Sequence, residues 1–275
     1  MEDTGAQPAA FVSGRPPAAL RPYVRRVLGY REHAPVPLRR RQAPAGEVAL
    51  ILGFHPLVLS GPAIGTARAA AFAGGLSDTW VLTEFSGPQA GVQVDLTPLG
   101  MFTLLGGRPV PGGAVPVLAE LEDPVLAALP DRLAELPTWT DRFAHVAEVL
   151  AARLLADRAR RPDPEVAHAW ECLHRSRGAV QVRRLAAEVG WSRRHLQHRF
   201  GSQIGLAPRT TGRVLRFAAA ARLVGGGTGA LAGIAADCGY ADQAHLTREF
   251  RALAGTTPTG FRSEWLGDPV TGRQS

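Results

Sequence analysis

Apolar positions are spaced differently in the two parts of this chain. Between residues 48 and 96 they form short runs bounded by Gly, Ser and Pro: VALILGFHPLVL (48–59), AAFAGG (70–75), TWVLTEF (79–85) and AGVQVDL (90–96). Such runs predict strands, the first of them two strands joined by a Gly-Phe-His-Pro turn. PLGMFTLLG (98–106) opens with Pro, which is favoured at the first helical position. Two longer helices are expected at 122–136 and 139–158. In the second, Phe143, Val146, Leu150 and Leu154 fall at i, i+3, i+7 and i+11, an apolar stripe. RARRPDPE (158–165), with two prolines among charges, reads as a linker. Beyond it, short amphipathic segments alternate with glycine-centred turns. The expected fold is an α+β N-terminal domain over residues 1–158, a small β-rich sheet or barrel followed by helices. A linker (159–165), an all-α C-terminal domain (166–265) and a disordered tail (266–275) follow.

One helical segment of the second domain, GWSRRHLQHRF (190–200), is barely amphipathic. At about 100° per residue, Leu196 and Phe200 occupy a single narrow face. Arg194 and His198 point away from it, with His195 and Gln197 on the flanks. A basic helix by itself is usually a solvated face. Here the segment recurs. Leu185-Ala186 matches Ile234-Ala235, Val189-Gly190 matches Cys238-Gly239, and Trp191 matches Tyr240. Leu196 matches Leu246, Phe200 matches Phe250, and Gly205-x-x-Pro208 matches Gly255-x-x-Pro258. The offset is 49 residues up to the turn and 50 beyond it. Ser192 then pairs with Asp242, and both are good N-caps. Small alanines permit close helix approach, and Gly190 and Gly239 supply a turn that side chains resist. Each copy is therefore expected to be a helix-turn-helix whose second helix faces outward.

Charge follows the repeat. Residues 1–160 hold 15 arginines and 15 acids, whereas residues 161–275 hold 16 arginines and 9 acids. A surplus confined to one domain is the electrostatic footprint of a polyanionic partner. The chain has neither lysine nor asparagine, so arginine at a given position carries no special weight. With 45% hydrophobic residues there is material for a packed core. No apolar run approaches the ~18–20 residues that span a bilayer. The acidic start MEDTGAQPAA is unlike a secretory signal, and a cytoplasmic protein is expected. Cys172 and Cys238 are too few for a disulfide scaffold and are expected to be small buried residues.

Residues 178–262 resemble the DNA-binding domain of AraC/XylS-type transcriptional regulators. IAADCGYADQAHLTREFRALAGTTPTGFR (234–262) carries the family's signature: the Ile-Ala pair, the Gly-Tyr turn, the Leu-x-x-x-Phe helix, and Gly-x-x-Pro before Phe-Arg. LAAEVGWSRRHLQHRFGSQIGLAP (185–208) matches as well. The resemblance implies a long connecting helix, here Pro208–Val224, and recognition helices entering successive major-groove segments. It implies double-stranded DNA and RNA polymerase as partners, and leaves open a small-molecule effector and a homodimer. Two features depart from the pattern: Thr210-Thr211 stands where an apolar residue is usual, and GGGTG (225–229) is glycine-rich. Both are expected to loosen the coupling between the units.

Arg pairs bidentately with guanine and Gln with adenine. The DNA-binding residues expected from the first recognition helix are Arg193, Arg194, His195, Gln197 and His198. From the second they are Ala244, His245, Thr247 and Arg248, and the resemblance adds Gln243. Arg193 and Arg199, nearer the core flank, are expected to touch phosphate or solvent. Arg216 and Arg222 are expected to make internal salt bridges.

For the first domain the resemblance extends to architecture only. Trp80, Phe54, Phe72 and Phe102 suit either core packing or the wall of a small-molecule site. The helix at 139–158 suits a dimer face or a cover for the sheet. His33, His55 and His145 are scattered, and Cys172-Leu173-His174 is an isolated pair with diverging side chains. No metal site, cofactor or catalytic residue is expected, and no Gly-x-Ser-x-Gly or phosphate loop is present. Three functions remain: a sequence-specific regulator with an N-terminal sensing or dimerisation domain, a catalytic or repair domain fused to a DNA-targeting one, and a basic helical protein for RNA or protein. The third lacks the strand-borne aromatic platform of single-strand binders, and residues 1–160 contain no cysteine to mark the second. The first reading is preferred, and the chain is not expected to be an enzyme.

Overall fold

The structure is a computed structural model, which describes residues 9–108, 110–121, 123–156, 159–227 and 229–267. The first domain is built on one antiparallel sheet with strand order β1-β2-β5-β3-β4. The strands are β1 (Ala10–Gly14), β2 (Val24–Gln42), β3 (Val48–Gly61), β4 (Gly65–Gly74) and β5 (Val81–Leu96). Val48, Leu50 and Leu52 of β3 alternate inward, as do Val92, Val94 and Leu96 of β5, all buried. Their period of two is that of a sheet covered on one face.

The sheet differs from expectation in one consistent way: segments read as turns are bends inside long strands. Gly-Phe-His-Pro does not join two strands but bulges β3 between Gly53 and Val58 in its pairing with β5. Ser86-Gly87-Pro88 likewise lies within β5, where Gly87 takes φ +79°. The same level of β2 shifts register between Ala34 and Leu38. Bulges increase twist and bend a strand, so aligned bulges curl the whole sheet. Glycine allows the close approach there: a Cβ on Gly91 would fall 2.7 Å from the Gly53 Cα. Neither β1 nor β2 was expected from the sequence.

Three helices cover the sheet: α1 (Pro98–Leu104), α2 (Pro124–Glu135) and α3 (Trp139–Leu154). Thr97, Asp123 and Thr138 cap them with side-chain oxygens. Val146, Leu150 and Leu154 of the α3 stripe are buried. Phe143 packs on Gly14, where a Cβ would meet its ring at 2.8 Å. The stripe thus covers the sheet.

After irregular residues 159–163 the chain is helical, beginning with α4 (Pro164–Arg175). Of the expected tail, residues 266–267 finish the last helix, and the rest lies outside the described residues. The two domains touch. The Gly112 amide donates to the Gly205 carbonyl at 2.9 Å, Arg41 pairs with Glu264 at 3.3 Å, and Leu215 packs on Gly46.

Candidate nucleic-acid interface

The repeat folds as two helix-turn-helix units. The first is α5 (Val182–Glu188) and α6 (Arg193–Ile204), and the second is α8 (Leu231–Asp237) and α9 (Gln243–Ala254). The connecting helix α7 spans Pro208–Gly225, and α10 (Pro258–Gly267) closes the domain.

The turn of each unit is a Schellman cap. Gly190 and Gly239 take φ +69° and +72°. Their amides donate to Ala187 and Ala236, and the next amides, Trp191 and Tyr240, reach back to Ala186 and Ala235 at 2.9 and 2.8 Å. Ser192 Oγ then accepts from the His195 amide at 3.2 Å, and Asp242 Oδ1 from the His245 amide at 2.6 Å. The Gly-x-x-Pro motif is equally physical. Gly205 and Gly255 end α6 and α9 in the left-handed region, and Pro208 and Pro258 begin the next helices.

Leu196 and Phe200, and Leu246 and Phe250, are fully buried. Every expected DNA-binding residue, by contrast, is at least partly open: Arg193, Arg194, His195, Gln197, His198, Gln243, Ala244 and Arg248 are exposed, and His245 and Thr247 are half-buried. α6 opens with Arg193, Arg194 and His195, although the positive end of a helix dipole favours acids. That local cost is of the sort found at functional sites. On α9, Gln243, Ala244, Thr247 and Arg248 line a shallow groove together with Arg251. Arg251 escaped sequence reasoning, although its spacing from Arg248 puts it on the same face.

Several side chains are already engaged. The His195 ring meets Trp191 edge-on at 4.5 Å, and His245 meets Tyr240 at 5.2 Å. Burial pushes the Tyr240 hydroxyl far above its ordinary pKa, so that ring is a neutral wall. Arg199, half-exposed at the flank, holds Asp163 through two bonds at 2.7 and 2.8 Å. Arg216 and Arg222 were expected to pair with acids. They donate instead to the carbonyls of Gly178 and Ala218 at 3.4 and 3.3 Å. Cys172 and Cys238 are half-buried rather than buried. Gly225, the first of the GGGTG run, lies under Trp265, where a Cβ would come within 2.6 Å of the ring. There the glycine tightens packing between α7 and α10.

Residues 185–264 match the family described as helix-turn-helix domain. ToxT of Vibrio cholerae O395, bound to (E)-4-(8-methylnaphthalen-1-yl)but-3-enoic acid, is similar at a TM-score of 0.52 and 11% identity. That match covers 88% of this chain and 99% of ToxT. ToxT of V. cholerae strain SCE256, bound to an unsaturated fatty acid, gives 0.53 and 10%, covering 90% and 97%. The DNA-binding domain of AdpA, described as a global transcriptional factor in complex with a target DNA, is 25% identical over 38% of this chain and 96% of its own, at a TM-score of 0.35. No curated protein matches the chain in sequence. The likeness to ToxT is one of fold and runs through both domains. Among the described residues no helix is long and apolar enough to cross a membrane.

Proposed function

The chain carries, at residues 185–264, a helix-turn-helix domain of the AraC/XylS-type transcription regulators, and from that premise we propose that both of its units read DNA. The observation that carries the reading is the duplicated presentation: two helices, capped alike, each bury one apolar edge and leave the opposite face open. Arg194, Gln197 and His198 of α6 address base edges in one major-groove segment. Gln243, Ala244, Thr247 and Arg248 of α9 address a second, about one helical turn (~34 Å) away. Arg193 and Arg251 contact phosphates, which set affinity and register. His195 and His245, held against Trp191 and Tyr240, brace the turns and reach DNA only from the flank.

The first domain (residues 1–158) is the sensing or dimerisation domain, joined through 159–165 to the DNA-binding domain at 166–265. Two features support sensing. A cavity of about 140 Å³ lies between α3 and the start of the sheet, lined by Leu20, Val24, Val27, Phe143 and Leu150, with Arg15 as the one charged lining residue. It is small for a whole effector, so an acidic apolar ligand would enter it in part or widen it. The ends of both recognition helices also rest on this domain, Gly205 at Gly112 and Gly255 against Trp80 and Arg41. Ligand-driven shifts of the sheet would thereby reach both units. RNA polymerase is the protein partner this reading implies, and a second copy of the chain is one it leaves open.

The test is binding of the full chain to its selected duplex and to random duplex over a range of salt. Specific binding with a steep negative salt dependence is expected. A flat salt response, or equal affinity for both duplexes, overturns the reading.

A further inference from the structure

At the junction of α4 and the first unit, His168 and Cys172 lie one turn apart on α4, and Glu188 ends α5. Cys172 Sγ is 3.5 Å from His168 Nε2 and 3.9 Å from Glu188 Oε2, and the last two atoms are 3.6 Å apart. Among the described residues this is the group of His, Cys and carboxylate atoms that converges. Bonds of roughly 2.0–2.3 Å at tetrahedral angles separate neighbouring ligand atoms by about 3.4–3.6 Å. The triangle is therefore within a few tenths of an ångström of a tetrahedral face. Imidazole, thiolate and carboxylate together suit zinc better than the hard cations, which prefer all-oxygen sites.

We propose that His168, Cys172 and Glu188 form a zinc-type site that clips α4 to the end of α5, with the fourth position open to water or another ligand. The surrounding charges leave room for it. Arg184 Nε donates to Glu188 Oε1 at 2.9 Å, leaving Oε2 for the metal. An outer bond of that kind orients a ligating carboxylate. Arg175 Nη2 stands 3.7 Å from Sγ, but the side chain is largely exposed and its Nε also lies 3.6 Å from Glu171. It withdraws to Glu171 when a cation enters. Binding exchanges the S–H bond for a metal–sulfur bond and releases the thiol proton to solvent, with no change of oxidation state.

The position gives the site a consequence. Glu188 directly precedes the Val189-Gly190-Trp191 turn from which α6 projects. Tying Glu188 to α4 fixes that turn. The second unit has no equivalent: Asp237 stands at the matching position, and α7 ahead of it contains neither His nor Cys.

The experiment uses the full chain without an affinity tag, stripped with a chelator and titrated with Co²⁺, then Zn²⁺. Expected are saturation at a single equivalent, tetrahedral visible bands with a thiolate-to-cobalt charge-transfer band, and displacement by Zn²⁺. Cys172→Ser should abolish the charge-transfer band, and Glu188→Gln should weaken binding by at least about tenfold, since even outer-shell changes cost that much. Cys238→Ser should bind as the parent does. Zinc should raise the thermal midpoint of the parent and not of Cys172→Ser. The substituted side chains are at least partly exposed, so circular dichroism should show an unchanged fold. Absence of the charge-transfer band, or equal binding by parent and Cys172→Ser, overturns the proposal.

Discussion

In the first helix-turn-helix unit Asp163 holds Arg199; in the second Arg213 holds Glu249, 50 residues further on in each case and with the charges exchanged. Both bonds lock the second helix of a unit to the segment that precedes it. The duplication has kept the geometry of the lock and not its polarity. The surroundings differ more. The core of the first unit, with Leu196 and Phe200, is continuous with that of the N-terminal domain. The second has its own core, in which Phe217, Phe250 and Phe261 meet edge to face at 4.9–6.5 Å. The outward faces also differ, Arg-Arg-His against Gln-Ala-His at the helix start. A scaffold held by caps and buried apolar residues leaves its exposed face free to diverge.

The largest effects should come from the cores. Phe250→Ala is expected to cost about 3–5 kcal/mol and to split calorimetric unfolding, with the second unit melting first. Phe200→Ala should cost as much but shift the main transition as a whole. A single shifted transition in both variants would break the distinction between shared and separate cores.

Next come Arg194 and Arg248, the arginines proposed to face the groove. Arg194→Ala and Arg248→Ala should each cost roughly 1–3 kcal/mol on the specific duplex and relax preference at particular bases. Competition binding against single-base variants of the duplex measures this. Uniform weakening across sequences would reassign the residue to phosphate.

The exchanged ion pairs are worth less. The Asp163 and Arg199 side chains are 25% and 40% exposed, so screening limits the loss in Asp163→Ala to about 1 kcal/mol. Urea denaturation should show Asp163→Arg combined with Arg199→Glu recovering most of it, because the second unit already runs in that polarity. A double variant no more stable than Asp163→Arg alone would show that the two locks are not interchangeable. Smallest is Arg193→Ala, which should reduce the slope of log affinity against log salt by about 0.9. An unchanged slope in a salt titration would remove Arg193 from the phosphate contacts.

The units were legible in the sequence because their determinants are local. A left-handed glycine, an N-capping Ser or Asp, and Leu-x-x-x-Phe spacing each act within one or two turns, and the structure has all of them at the expected places. The sheet was not, since its bends imitate turns. Pro35 and Pro37 disqualify β2 as a strand on propensity, yet they sit in the register shift between Ala34 and Leu38, where an irregular ladder tolerates proline. Gly53 and Gly87 punctuate β3 and β5 in the same way. The candidate site divides on similar lines. Outward positions follow from helical period, so the exposed faces of α6 and α9 were readable. Pairings across the fold, such as Arg199 with Asp163 or Cys172 with Glu188, carry no period and waited for coordinates.

In the proposed function each unit reads its own segment of DNA. The most direct measurement is selection from random duplex DNA with the full chain, with Arg194→Ala and with Arg248→Ala. The parent should enrich two blocks of preferred bases about one helical turn (~34 Å) apart, and each variant should lose preference in one block while keeping the other. A single enriched block, or two blocks that fade together in both variants, would contradict it.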